Sequence, residues 1–403
     1  MEERFVIPRR FRNTSIAFIA IGVLAFLVGL LALHGDVGVK RFWSVLVFNS
    51  LFFLYISVAA LFVYAAASLA QASWHIAYKR VIEAIMVNIP VFALIAFIIL
   101  MSVFIGHKSF IYPWTDPQVL AHDPIIAGKT PFLNTRLFVI FTVVIMTGWS
   151  LLAMKLRRIS LQEDHAERGA TRFLWKTIFF SAVFIAFYAV TISVSSWHWL
   201  MSIAARWKST MYGWYVFAGS FISVMTVISL FVIAIKNSGQ LTLVNKEHLH
   251  DLGKFIFAFS IFWTYIWFAQ YFLFWYGNIP LESQYFRPQL WGHYRFWFLL
   301  DLVINFAVPF LLLMTRDAKR NYTTVTIIAL IVFFGHWLDF YLMVLPTVLP
   351  TQGVVLGWYE IGITLGFVGL MIGLVSRALT RAPLYPLNHP YLKEAIIHKS
   401  DWE

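Results

Sequence analysis

The sequence predicts an all-α polytopic membrane protein with ten transmembrane helices and both termini cytoplasmic. Three observations lead there. Of 403 residues 60% are hydrophobic and only 12% charged, where a soluble domain is about half apolar and about a quarter charged. The apolar residues fall into long runs, giving a mean hydropathy of +0.75. The lysines and arginines crowd onto one side of those runs.

A spanning helix needs about 20 mostly apolar residues, and ten segments qualify. The first, Thr14 to His34, follows Arg4, Arg9, Arg10 and Arg12. It is longer than the roughly 7 to 15 residues of a signal-peptide core and ends in Leu31-Ala32-Leu33-His34, without paired small residues, so it reads as a retained helix. Ser44 to Ala70 and Arg80 to Phe104 follow, the latter with a kink expected at Pro90. Arg136 to Leu156, Phe173 to Trp197, Tyr212 to Lys236 and Leu252 to Tyr276 come next, then Tyr294 to Thr315, Thr323 to Leu345 and Tyr359 to Leu379.

With ten spans both termini share a side, and that side holds 22 of the 31 lysines and arginines. The positive-inside rule makes it cytoplasmic. The net charge of +12 is accounted for in this way, without nucleic acid. Residues 1–13 form a cytoplasmic N-terminus and 380–403 a cytoplasmic tail. Neither the tail nor the longest loop, Ile105 to Thr135, is large enough to stabilise a core of its own. The chain is therefore a single integral membrane domain over 1–403, with no soluble catalytic module.

Charges near span ends read as interfacial anchors: Arg80, Arg136, Lys155, Lys176, Lys236, Lys254, Arg295 and Arg377. Asp301 and Asp339 lie deeper, where a carboxylate costs on the order of 2.5 to 3.5 kcal/mol or more and needs a partner or water. His336, three residues before Asp339, shares its helix face. A buried histidine beside an acid can pass protons. Asp301 and Asp339 fall in the outer half with His336 nearer the middle, and Glu360 is expected to join them. Glu83 and Asn88 lie toward the cytoplasm, so the set offers two proton half-paths. The competing reading is a polar cluster that locks helix 8 against helix 9. Tyr341 and Gln270 are weaker additions, suited to packing hydrogen bonds. His198, in Ser195-Ser196-Trp197-His198-Trp199, falls with Trp207, Arg206 and Lys208 in what reads as a short helix in the headgroup layer.

The absence of cysteine removes iron–sulfur ligation, thiolate zinc sites, disulfides and c-type haem attachment. A b-type haem needs two facing deep histidines, and only His336 is well inside a span. No metal site and no cofactor are expected in this chain.

Several stretches carry a resemblance: Trp199-Leu200-Met201-Ser202-Ile203, Trp207-Lys208-Ser209-Thr210-Met211-Tyr212-Gly213 and Tyr215-Val216-Phe217-Ala218-Gly219-Ser220. Others are His250-Asp251-Leu252-Gly253-Lys254 and Trp275-Tyr276-Gly277-Asn278-Ile279-Pro280, with Tyr265, Phe268 and Gln270 between them. These resemble the signature stretches of polysulfide-reductase-type (NrfD) membrane subunits as they occur in bacterial alternative complex III. The loop from His107 to Asn134, the stretch Asn305-Phe306 through Arg320, and Gly335-His336-Trp337-Leu338-Asp339-Phe340-Tyr341-Leu342 are similar to the shorter, ActF-like form.

The resemblance implies ten helices as two four-helix bundles plus two peripheral helices. It also implies a subunit of a quinol:cytochrome c (or high-potential iron–sulfur protein) oxidoreductase in the bacterial cytoplasmic membrane. Menaquinol or another quinol is then the substrate of the complex. The implied partners are a longer NrfD-type quinol-binding sister subunit, an iron–sulfur subunit and multihaem cytochrome c subunits, with lipids around them. The resemblance implies that the sister forms the quinol pocket; where the sister type has an acid before its Trp-Ile-Met-Ser stretch, this chain has His198-Trp199, a departure that speaks against a quinone site here. Two other readings stay open: a quinol site here lined by Trp263, Tyr265, Phe268 and Tyr271, and a stand-alone proton-coupled transporter.

Overall fold

The computed structural model describes residues 3–167 and 170–398, so the outermost ends of both expected tails, 1–2 and 399–403, lie outside the described residues. Ten helices are long and apolar enough to cross a membrane: α1 Arg9–Ala32, α2 Gly35–Leu69, α3 Ile76–Ile105, α4 Thr135–Glu163 and α5 Thr171–Ile203, then α6 Tyr212–Asn237, α7 Lys246–Gly277, α8 Arg295–Leu312, α9 Tyr322–Val348 and α10 Trp358–Leu379. Among the described residues the only β pairing is one isolated bridge, Arg4 to Pro383. The protein is an all-α, multi-pass membrane protein.

Several helices outrun their apolar segments. α2 begins at Gly35 because Asp36 and Lys40 pair at 2.6 Å one turn apart and Arg41 binds an acid on α10. α4 continues to Glu163 because Arg157, Ser160 and Glu163 all find buried partners. Hydropathy sees where a helix is greasy, whereas hydrogen bonding and pairing decide where it stops.

α2, α3, α4 and α5 pack as one four-helix bundle, and α6, α7, α8 and α9 as a second. The bundles meet where α2 runs against α6 and α9, and α5 against α6. α1 and α10 form a peripheral pair whose seam is built from small residues. A Cβ on Gly22 would meet the Gly366 backbone at 2.3 Å, and one on Gly362 would meet Ala25 at 2.5 Å. Ser15 donates to the Gly369 carbonyl at 2.8 Å along the same seam. Without a hydrophobic drive between helices in lipid, this close backbone approach is what attaches α1.

Two helices are interrupted. α3 breaks at Val87 and Asn88, since Pro90 has no N–H for the Met86 carbonyl. The Asn88 side chain satisfies the Ala84 carbonyl there at 2.6 Å. α8 carries a π-helical turn over Val303–Ala307, one turn before Pro309, which removes the N–H that Asn305 would have accepted. α9 runs past its expected end at Leu345 and takes Pro346 into its last turn.

The described N-terminal residues and C-terminal tail fold over one face, called inner below. Val6 donates to Gln240 at 2.8 Å and Leu384 to the Glu3 carbonyl at 2.8 Å. Asn388 donates to the carbonyls of Asp164 and Ala166, each at 2.8 Å.

Candidate functional site

The second bundle gathers Asp301, His336 and Asp339, all buried. Asp339 on α9 accepts from Tyr215 of α6 through one oxygen and from Trp263 of α7 through the other, the latter at 3.2 Å. His336, one turn below, stands edge-on to Trp263 at 5.4 Å between ring centres. Asp301 on α8 accepts from Asn305 at 2.8 Å. Its second oxygen, the Asn305 side-chain oxygen and both ring nitrogens of His336 have no protein partner. No cation among the described residues forms an ion pair with either acid. These are neutral donors around groups that can ionise, an arrangement suited to gaining and losing protons rather than to holding a fixed charge.

Backbone choices bring the groups together. Gly335, next to His336, is where α8 touches α9: a Cβ there would lie 2.2 Å from Asn305 Oδ1 and 2.4 Å from Ile304. Gly219 on α6 leaves room for the ring of His336 and the carboxyl of Asp339, which would lie 3.5 and 3.6 Å from an added Cβ. The π-turn of α8 places Asn305 at this contact, as such turns frequently do at functional sites.

Polar side chains continue on the outer side of Asp339. A cavity of about 20 Å³, lined by Tyr212, Tyr215, Gln270, Tyr285 and Gln289, adjoins the carboxyl, which is room for about one water molecule. Tyr212, Tyr285 and Gln289 share its lining, and Gln289 donates to the Leu342 carbonyl at 3.3 Å. Tyr285 stacks on Trp207 at 4.0 Å and also lines an outer cleft of about 460 Å³ with Asp123 and Arg206. Tyr285 thus lines both the acid's cavity and the outer cleft. Sequence reasoning missed Tyr212, Tyr215 and Tyr285; the spacing of the first two, three residues apart on one face of α6, is the signal that was available.

The first bundle holds a different cluster at its inner end. Glu83 accepts from Arg80 at 2.7 Å, from Arg157 and from Ser160 at 2.5 Å. Arg80 also binds both oxygens of Asp164 at 2.5 Å, and Lys79 reaches Glu163 at 3.3 Å. Arg80 is 1% exposed, which corrects its expected place among the interfacial anchors. Three cations face three anions, the balance that a buried network requires. His75 and His389 close the cluster from outside the membrane segments. Burial, with Lys79 adding, pulls His75 down to about 3 and His389 well below the usual range.

The remaining expected residues are dispersed. Glu360 does not join Asp301 and Asp339: both its oxygens bind the Arg41 guanidinium, and it caps its own helix by accepting from Gly357 at 3.0 Å. Tyr341 accepts from the Val355 N–H at 3.1 Å beyond the end of α9. Gln270 faces the one-water cavity, its amide nitrogen without a protein partner. Asn88 serves the kink of α3. His198 is fully buried among Phe132, Phe138 and Phe141, with ring centres 4.5, 5.9 and 5.2 Å away. Trp199 and Trp207 are buried too, Trp199 donating to Thr142 at 2.9 Å. Arg206 and Lys208 of the same stretch are exposed, so its aromatic side packs inward and its basic side faces out. Of the α7 aromatics, Trp263 faces Asp339, whereas Tyr265 and Phe268 lie on the exposed face. They do not line one pocket.

Among the described residues no three His, Asp or Glu side chains come together as a metal site. No family model matches this chain, and no curated protein is detectably similar to it.

Proposed function

We propose that this chain is a membrane subunit, without a redox cofactor of its own, of a quinol:cytochrome c (or high-potential iron–sulfur protein) oxidoreductase of the alternative complex III type in a bacterial cytoplasmic membrane. Its partners are a longer NrfD-type quinol-binding subunit, an iron–sulfur subunit and multihaem cytochrome c subunits. Within it Asp301, His336 and Asp339 pass protons through the outer half of the second bundle, by way of Tyr215, Tyr212 and Tyr285.

One observation carries this reading: two buried acids and a histidine without a cationic partner, with Asp339 lining a one-water cavity. The stretches that carry the family resemblance support it, because Tyr212 to Tyr215 and Gly335 to Asp339 converge on this place. Glu83 and Glu360 have no part in the transfer on this reading, each being held by arginine.

In the reconstituted complex, Asp339→Asn and Asp301→Asn should lower the protons released per quinol oxidised while quinol oxidation continues. An unchanged ratio would sink the proton-path reading. The close fit of Asn305 against Gly335 favours one competitor, a polar lock between α8 and α9. That reading expects the same variants to lower thermal stability and leave the ratio intact. Purification tests the wider assignment: the chain should come out with haem and iron–sulfur subunits, and a chain that purifies alone would be a transporter instead.

A further inference from the structure

A large cavity lies far from the acids, on the inner half of the molecule, between the peripheral α1–α10 pair and helices α6 and α9. It measures about 490 Å³, within the 300 to 1,000 Å³ typical of ligand pockets. Its polar residues, Arg10, Thr14, Asn237 and Thr326, lie within about two turns of the helix ends on one side. Arg10 lies in the first turn of α1, Asn237 at the last of α6, and Thr326 two turns or fewer into α9. The floor is hydrocarbon, with Phe18, Phe53 and Phe333 at its deepest points.

The depth corresponds to one leaflet. From Arg10 to Phe18 is about 12 Å along α1, and from Asn237 to Val227 about 15 Å along α6, where half the hydrocarbon core is about 15 Å. The groove exists because the small-residue seam of α1 faces α10. Ser15, Gly22, Ala25 and Gly29 are buried there, which turns the Arg10, Phe11, Thr14 and Phe18 face toward α6 and α9.

We propose that this groove binds an anionic glycerophospholipid of the inner leaflet, with an acyl chain against the phenylalanines and the phosphate at Arg10. Charge complementarity selects that occupant. The lining contains one cation and no acid, Arg9 and Arg12 are exposed beside it, and Arg10 makes no hydrogen bond or ion pair with any described residue. A quinone would need polar partners for both ring oxygens at the depth of the ring, whereas the polar groups here reach no deeper than Thr14, less than two turns from the start of α1. The site is independent of the proton path.

Native mass spectrometry of the full chain released from mild detergent, with phosphatidylglycerol or phosphatidylcholine added, tests the assignment. Phosphatidylglycerol should be retained in preference. Arg10→Gln, a change at an exposed residue, should weaken that retention about fivefold, the equivalent of roughly 1 kcal/mol for one basic residue at a lipid surface. Ala234→Trp, which fills the groove, should abolish retention of both lipids. If that variant fails to fold, Leu330→Trp, whose wild-type side chain is exposed, takes its place. Equal retention of the two lipids, indifference to Arg10→Gln, or a quinone adduct in place of lipid would each overturn the proposal.

Discussion

Glu83 in the first bundle and Asp339 in the second are both buried carboxylates, yet their neighbours have nothing in common. Glu83 is bound by two arginines, with a lysine 4.0 Å away, and the surrounding cations are matched by Glu163 and Asp164. Asp339 is bound by a phenol and an indole. A carboxylate among cations is fixed as an anion, because releasing it leaves buried positive charge unpaired. A carboxyl among neutral donors has no such anchor, and its charge state answers to whatever reaches its cavity. The first bundle thus ties its acids into ion pairs, and the second leaves them among neutral donors.

The comparison is broken most forcefully at Glu83. Glu83→Ala should cost about 3 to 5 kcal/mol, since Arg80 and Arg157 lose their shared partner. Thermal unfolding in detergent should show a large drop or no folded protein. Asp339→Asn keeps two hydrogen-bonding atoms in an uncharged setting and should change stability far less. Equal losses for the two variants would mean that both clusters are structural.

The contact between α8 and α9 comes next. Gly335→Ala puts a Cβ 2.2 Å from Asn305, and overpacking of this kind costs about 1 to 3 kcal/mol. The π-turn has to shift, so the same variant should also disturb proton release if Asn305 positions Asp301. Normal stability would show that α8 yields easily and that the close approach is incidental.

Acid should loosen the inner face. His75 and His389 are held below their ordinary value near 6.5, so the folded protein keeps them neutral while the unfolded chain takes up protons. Their stabilising contribution is complete above about pH 6.5 and is lost as pH falls toward 3. Each histidine removes on the order of 1 kcal/mol per pH unit in that window. Melting temperature should fall between pH 7 and 5, and His75→Phe should flatten the slope. A flat wild-type profile would remove the two histidines from the account of the inner network.

How far these contrasts were legible in the sequence depends on the kind of interaction. The ten spans were, because an apolar run of sufficient length is a local property that lipid enforces. The depth of Asp301, His336 and Asp339 followed from the same counting. Partners did not. Arg157 and Asp164 fall in a basic segment past the apolar run of α4, where they read as loop charge, and Arg80 sits close enough to a span end to read as an anchor. Glu360 and Arg41 are 319 residues apart. Pairing of this kind is set by how helices pack, and the sequence specifies packing only jointly. The glycines at 219 and 335 mark the places where polar groups crowd, and in a single sequence they look like any other small residues.

The smallest effect discriminates most finely. Tyr215→Phe removes one donor from Asp339 without opening a cavity. A hydrogen bond between neutral groups contributes about 0.5 to 1.5 kcal/mol, and one to a charged group about 1.5 to 3. The contrast between the bundles expects the lower range at Asp339, with Ser160→Ala at Glu83 in the upper one. A loss at Tyr215 as large as that at Ser160 would mean that Asp339 is held as an anion despite its neutral neighbours. It would then serve as a fixed charge, and proton transfer would have to rest on Asp301 and His336 alone.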